Sequence, residues 1–336
     1  MVVAKYPATR GHTTVINQLC KGLKELGHKT AIGAFSFTED PPYNIEKIVL
    51  NKSKLLSQGV DYLDYDVIHS HQARVHYYLL TKNPTKPIIF HYHGAANKIQ
   101  EWNFKFSMVL YRKKISKIIS VSKTGILQMK RIVGDVEATV VYNGADTNFF
   151  NNNLPTPYKK GEPQLLFVSA LHKYKNARVL VSAIETISKK FPKVNLQIVG
   201  GGKDVPYLKK LITRLNLQGR VELVGKVDNE ELRLRYSSCD IYISASTFEV
   251  CPVPTLEAMS CGKPLVLYNI EPHREMIEIS KAGEIFEKID NDEICEKIEK
   301  IYLRRKELGE TARDFALKND WKVISEQMSK IYEEFS

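Results

Sequence analysis

The sequence contains no uncharged apolar run long enough to span a membrane, no Cys-x-x-Cys pair and no Gly-x-Gly-x-x-Gly fingerprint. Its 336 residues include only five cysteines, Cys20, Cys239, Cys251, Cys261 and Cys295. An odd count without paired spacing argues against a disulfide framework and against cysteine-bound structural zinc. Cys251 is therefore expected to be a buried thiol rather than a nucleophile. The first residues, Met1-Val-Val-Ala-Lys5-Tyr-Pro7, lack the long apolar centre of a signal peptide and read as a strand. A cytoplasmic location is the expectation. The missing glycine fingerprint leaves a dinucleotide-binding reading with little support.

What remains fits an ordinary globular α/β chain, 43% hydrophobic and 26% charged, long enough for two domains. Net charge is +11 and uneven. Residues 1–150 carry 20 Lys and Arg against 11 Asp and Glu, which leaves 29 against 27 for the rest. The first half is expected to meet something anionic.

The stretch Ile241–Pro264 organises the chain. Ile241-Tyr-Ile-Ser-Ala245 reads as a buried strand. A loop carrying Glu249 follows, then a short helix from near Pro254 that carries Glu257 and stops at Gly262-Lys-Pro264. In an open α/β sheet, ligands bind at the carboxyl ends of strands. A helix start there suits a phosphate, and two carboxylates suit hydroxyls. A nucleotide diphosphate sugar has both groups.

Along the first half, Met1–Tyr6 is read as a strand, residues 7–12 as a turn, and a helix runs from Thr13 or Thr14 to Gly27. Lys29–Phe35, Tyr65–Ser70, Lys86–His93, Ile118–Ser122 and Ala138–Tyr142 are further strands. Two strands end in histidine pairs, His69 with His71 and His91 with His93, and residues two apart face the same side. No carboxylate or cysteine joins them at ligand spacing, so they are read as strand-end histidines and no metal is expected. The triplet Asp64-Tyr65-Asp66 precedes a strand and is read as a solvated loop. Glu101–Ser116 reads as a helix with Trp102, Phe104 and Phe106 beside Lys105, Arg112, Lys113 and Lys114. With Lys117, Lys123, Lys130 and Arg131, it suits an anionic membrane surface, nucleic acid, or a core-packed helix with a basic face.

Asn151–Pro163 breaks every periodicity and is read as a linker. Strands are expected at Gln164–Leu171, Asn195–Val199, Val221–Val224 and Pro264–Tyr268. Helices are expected after Lys175-Asn176, at Tyr207–Leu215, at Glu230–Ser237, and from about Asp292 onward. This alternation implies parallel sheets.

Taken together, these landmarks resemble the family 4 retaining glycosyltransferases of the GT-B fold over nearly the whole chain. Glu249-x7-Glu257-Ala-Met-x-x-Gly262-x-Pro264 is similar to the family's donor-site motif. Asn143-Gly144-Ala-Asp146, Gly200-Gly-Gly202, Val221-x-Leu-Val-Gly225 and Leu171–Lys175 match in place and order. The resemblance implies two Rossmann-like domains facing across a cleft. Residues 1–150 would form the acceptor-side domain, 151–163 the linker and 164–319 the donor domain, with a final helix, 320–336, packing back on the first. It implies a hexosyl transfer from a nucleotide-diphosphate sugar to a glycan or lipid-linked acceptor, without cofactor or metal. His93, Glu249 and Lys175 would be catalytic. Gly11, Arg10, Lys175, Gly200, Gly202, Val227, Glu249, Val253, Thr255 and Glu257 would bind the donor. Peripheral membrane contact would run through 101–131, and nucleic acid is not an expected partner. Ala170 stands where the family usually has arginine, Pro252 where it has glycine, and Arg10-Gly11 replaces two glycines. The missing arginine and the prolines Pro252 and Pro254 motivate one alternative, a non-catalytic GT-B subunit that binds a partner transferase or a glycan; a sugar-nucleotide epimerase on the same fold is another.

Overall fold

The computed structural model describes residues 1–8 and 10–335, with Arg10 as backbone only. Two α/β units account for them, one made of Met1–Gly144 and the segment from Trp321 onward, the other of Ala145–Asp320.

The first unit contains β1 (Val2–Val3), α1 (Arg10–Glu25), β2 (Ala31–Ala34), β3 (Glu46–Val49), α2 (Lys52–Gln58) and β4 (Ile68–Ser70). It continues through α3 (His76–Leu79), β5 (Ile88–Tyr92), α4 (Lys98–Tyr111), β6 (Lys117–Ser120), α5 (Lys123–Val133) and β7 (Thr139–Val140). The sheet order is β3-β2-β1-β4-β5-β6-β7, with parallel pairing throughout. Buried Ile, Leu, Val and Phe side chains fill both faces, as a parallel sheet flanked by helices requires.

The second unit contains β8 (Gln164–Val168), α6 (Ala177–Lys190), β9 (Asn195–Val199), α7 (Val205–Arg214), β10 (Val221–Gly225), α8 (Asn229–Ser238) and β11 (Ile241–Ser244). After these come α9 (Val253–Ser260), β12 (Leu265–Tyr268), α10 (Glu271–Ser280), β13 (Gly283–Phe286), α11 (Asn291–Leu303) and α12 (Arg305–Lys318). The order is β10-β9-β8-β11-β12-β13, again parallel. Leu165, Phe167, Ile184, Leu196, Ile198, Ile243 and Ile298 are central to its core. Each fully buried side chain of this kind stabilises the fold by roughly 1.5–3 kcal/mol. The proline-rich stretch 151–163 lies against this unit, where the Arg235 guanidinium stands 4.2 Å over the Tyr158 ring.

The last helix, α13 (Trp321–Glu333), packs on α1 of the first unit. Gly22 allows the close approach, since a Cβ there would stand 2.0 Å from the Ser325 Oγ. His28 and Ser329 share a 2.7 Å hydrogen bond at the same contact.

The structure differs from the sequence-based expectation in several elements. Helix α1 starts at Arg10, so Gly11 belongs to a helical first turn rather than to a free loop. Strand β3 and helix α2 were not expected, and neither were α10 and β13. Strand β3 is an edge strand whose residues Glu46, Lys47 and Val49 are exposed, so it lacks a buried apolar run.

Both sheets reverse strand order beside their first strand, between β1 and β4 and between β8 and β11. Such switch points open a crevice at the carboxyl ends of the strands.

Candidate active site

In the second unit, the loops after β8 and β11 flank the switch point. Lys175 closes a short 3-10 turn after β8, and Asn176 reverses the chain in the left-handed region at φ 56°. Glu249 lies in the loop between β11 and α9. The two side chains meet, with Lys175 Nζ donating to Glu249 Oε1 at 2.5 Å. Each is 15% exposed, so the pair is shielded but open at one side. The loops are also stitched by backbone: the Thr247 N–H and Oγ1 both donate to the Tyr174 carbonyl, at 2.8 and 3.0 Å.

Glu257 sits in the second turn of α9 and its Oε2 accepts from the Tyr236 hydroxyl at 2.9 Å. Burial, and then the adjacent Glu257 carboxylate, pushes the Tyr236 phenol well above its ordinary value, so it stays a donor. Glu257 is itself half-buried, and a carboxylate has acceptor sites beyond the one Tyr236 occupies.

The start of α9 is poor in free amides. Pro252 and Pro254 have no N–H, and the Thr255 N–H is bound to the Pro252 carbonyl at 3.2 Å. Val253 and Thr255 are buried. Val227 is half-buried in the turn between β10 and α8, and Ala170 is exposed. Gly200, at φ 129°, and Gly202 serve close packing of backbone. A Cβ would stand 1.8 Å from the Ser169 carbonyl oxygen at the first and 2.1 Å from that of Leu171 at the second. They hold the β9–α7 turn against the exit of β8, directly ahead of the Lys175 loop.

Two residues near this site were missed in the sequence. Tyr236 looked like any core aromatic of α8. His273 lies at the start of α10 and is fully buried. Its Nδ1 pairs with the Tyr268 carbonyl at 2.7 Å, and its Nε2 has no partner among the described residues. Burial lowers its pKa, opposed by Glu249 and reinforced by Lys175, so it senses the ion pair. A proline at the second position of a helix following a strand was the available signal for α10.

In the first unit, His93 follows β5. Its Nε2 lies 2.9 Å from His71 Nδ1, and its ring is 4.6 Å from that of His12. Gly11 precedes His12 in the first turn of α1, and among the described residues a Cβ there would meet nothing within 4 Å, so the position faces open space. The Arg10 side chain, assigned to the donor from sequence, lies outside the described residues. Asp64 is solvent-exposed in a 3.6 Å ion pair with Lys29, as the solvated-loop reading expected.

Burial holds His12 at about 4 and His76 at about 3, and the strand-end histidines are also lowered. His76 is enclosed between the Ser70 and Ser107 hydroxyls, at 2.8 and 2.6 Å. The fold therefore keeps these imidazoles neutral, whereas the unfolded chain protonates them below about 6.5. Stability is unaffected at higher pH and falls as pH drops through 6.5 toward 4. At pH 5, His12 and His76 are expected to remove about 2 kcal/mol each. Urea unfolding at pH 7.5 and pH 5 checks this; equal midpoints would contradict it.

Among the described residues no helix is long and apolar enough to cross a membrane. The model of the family described as "Glycosyl transferases group 1" matches residues 151–316, and that of "Glycosyltransferase Family 4" matches 9–149. An uncharacterized glycosyltransferase of Methanocaldococcus jannaschii is 28% identical over 306 residues, 88% of this chain and 81% of its own. A phosphatidyl-myo-inositol mannosyltransferase of Mycolicibacterium smegmatis is 26% identical over 285 residues, 81% of this chain and 72% of its own. The Anabaena protein HepE, solved in complex with UDP, superposes with a TM-score of 0.78 at 19% identity, covering 99% of both chains. The fold is GT-B, with two parallel-sheet α/β units. The chain belongs to the family 4 GT-B glycosyltransferases and is a transferase.

Proposed function

We propose that this enzyme moves a hexosyl group from a nucleotide-diphosphate sugar to a hydroxyl of a glycan or lipid-linked saccharide, with retained anomeric configuration and no metal on the diphosphate. The observation that carries this is the Lys175–Glu249 pair, seated where β8 and β11 diverge. In the reaction the bond from C1 to the phosphate oxygen breaks and a bond from C1 to the acceptor oxygen forms. The acceptor proton passes to the leaving phosphate on the same face, so no protein nucleophile is needed. Lys175 places a cation where negative charge develops on that phosphate. Glu249 accepts hydroxyl hydrogens of the donor sugar, and Glu257 those of the ribose. His93 is assigned to the sugar or phosphate on the family resemblance. The UDP bound to HepE supports a nucleoside diphosphate as the donor's leaving half.

The acceptor assignment rests on α4. Phe104 and Met108 are buried, whereas Ile99, Trp102, Phe106, Val109 and Leu110 are exposed. Lys98, Lys105, Arg112 and Lys113 are exposed alongside. Aromatic and basic groups on one outward surface suit peripheral contact with an anionic membrane, on its cytoplasmic side. The phosphatidyl-myo-inositol mannosyltransferase relative is consistent with an acceptor held at a lipid surface. Changing Trp102 and Phe106 together to Ser is expected to weaken partition onto vesicles containing anionic lipid by about tenfold or more. Co-sedimentation checks it, and unchanged partition would remove the membrane contact.

Ala170, Pro252 and Pro254 favour a second reading, a non-catalytic subunit that binds a partner transferase or a glycan. Release of nucleoside diphosphate by the purified chain, across a panel of sugar donors and saccharide acceptors, separates the two. Turnover supports transfer. Reproducible absence across the panel supports the subunit.

A further inference from the structure

The histidines at the ends of β4 and β5 are drawn into one cluster, and of these the transfer chemistry uses His93 alone. The two strands are neighbours in parallel register, with His69 opposite Ile89 and Ser70 opposite Phe90. Alternation along each strand then puts His69, His71, His91 and His93 on one face. The ring centroids of His69 and His71 are 4.4 Å apart, and those of His69 and His91 5.3 Å. His69, His71 and His91 are each 2% exposed, and one nitrogen from each lies within 4.8 Å of the other two.

Hydrogen bonding makes this cluster unusual. Buried polar atoms nearly always have partners. Here, among the described residues, His69 Nε2 and both nitrogens of His91 have none. The nitrogens that do have partners are arranged as a metal's outer shell would have them. His69 Nδ1 is bonded to the Tyr332 hydroxyl at 2.6 Å, and His71 Nδ1 to His93 Nε2 at 2.9 Å. Each such bond fixes a ring and leaves its Nε2 without a strong hydrogen-bond partner, as metal-ligating histidines have it. His71 Nε2 also touches the Met1 sulfur at 3.2 Å, a weak partner.

We propose that His69, His71 and His91 bind one divalent transition-metal ion. Three imidazoles suit zinc and its neighbours and disfavour magnesium and calcium. With metal–nitrogen bonds of about 2.0–2.1 Å, ligating nitrogens stand roughly 3.3 Å apart, so the rings swing inward by about 1 Å or less on binding. The ion pins β4 to β5 and holds His71 against His93. The readout of the proposal is metal binding itself, not sugar transfer.

The test uses the full chain without a polyhistidine tag, stripped with chelator and titrated with Zn²⁺ in competition with a chromophoric chelator. Co²⁺ is added in parallel for its visible spectrum. One equivalent of Zn²⁺, a raised Tm and the d–d bands of a low-coordinate Co²⁺ site are expected. His69→Gln and His91→Asn should each weaken binding by about 100-fold or more. Absence of stoichiometric binding, or binding that survives unchanged in both variants, overturns the proposal. Where a variant does not fold, X-ray absorption of the Co²⁺ wild type decides: a shell of nitrogen ligands with imidazole scattering supports the site, and an all-oxygen shell overturns it.

Discussion

Replacing Lys175 by Met is expected to lower kcat by about 10²–10³-fold, the loss that follows removal of one preorganised group stabilising a developing anion. This ammonium is held at 2.5 Å by Glu249, with both side chains 15% exposed. The arrangement preorganises the cation and keeps it from water, where its effect on a phosphate would be weak. The substitution also strands a shielded carboxylate, which destabilises the fold. Combining Lys175→Met with Glu249→Gln separates the two effects. Stability, read as Tm, should return toward the wild-type value while turnover stays low. Recovery of turnover in the double variant would show that Lys175 acts only as the partner of Glu249.

Glu257→Ala is expected to weaken donor affinity by about 100-fold. Two hydrogen bonds from a ribose diol to a carboxylate, at about 1.5 kcal/mol each, amount to about 3 kcal/mol, or two decades. The change also leaves the Tyr236 hydroxyl, fully buried and 2.9 Å from Glu257 Oε2, without its acceptor. That costs about 1–3 kcal/mol of stability. Glu257→Gln is the control. Its amide oxygen still accepts from Tyr236, so the fold keeps its stability while the charge that strengthens the ribose contacts is lost. Calorimetric titration with the nucleoside diphosphate should therefore rank wild type above Glu257→Gln and Glu257→Ala last. Unfolding should leave the first two together.

The strand, loop and helix around Glu249 and Glu257 were legible because their signals are local. Ile241–Ser244 is a buried apolar run, and Val253–Ser260 opens with prolines and is followed by Gly262. Asn195–Val199 was legible for the same reason. Strand β3 and the α10–β13 pair were not, because their sequences are polar or broken. Register supplies the rest. Nothing along the chain says that Lys175 and Glu249, 74 positions apart, end on adjacent loops. The sequence paired the four strand-end histidines two by two. Only the alignment of β4 with β5 makes them one cluster. The packing of Gly200 and Gly202 against the Ser169 and Leu171 carbonyls was likewise not legible, because it joins segments that are distant along the chain. The Glu249–Pro264 stretch has both carboxylates half-buried and its helix start short of free amides; on the proposed function, the cation at Lys175 then carries more of the phosphate.

The most direct test of a nucleotide-sugar site at Lys175, Glu249 and Glu257 is a thermal-shift panel of nucleoside diphosphates and their sugars, run on the wild type and on Glu257→Ala. A ligand at 100 times its Kd stabilises by about 2.7 kcal/mol, several degrees in Tm. One base should raise the wild-type Tm, and at the same concentration the response of Glu257→Ala should fall to about 0.4 kcal/mol, a degree or so. No stabilisation by any nucleotide, or an equal shift in both proteins, would contradict the account.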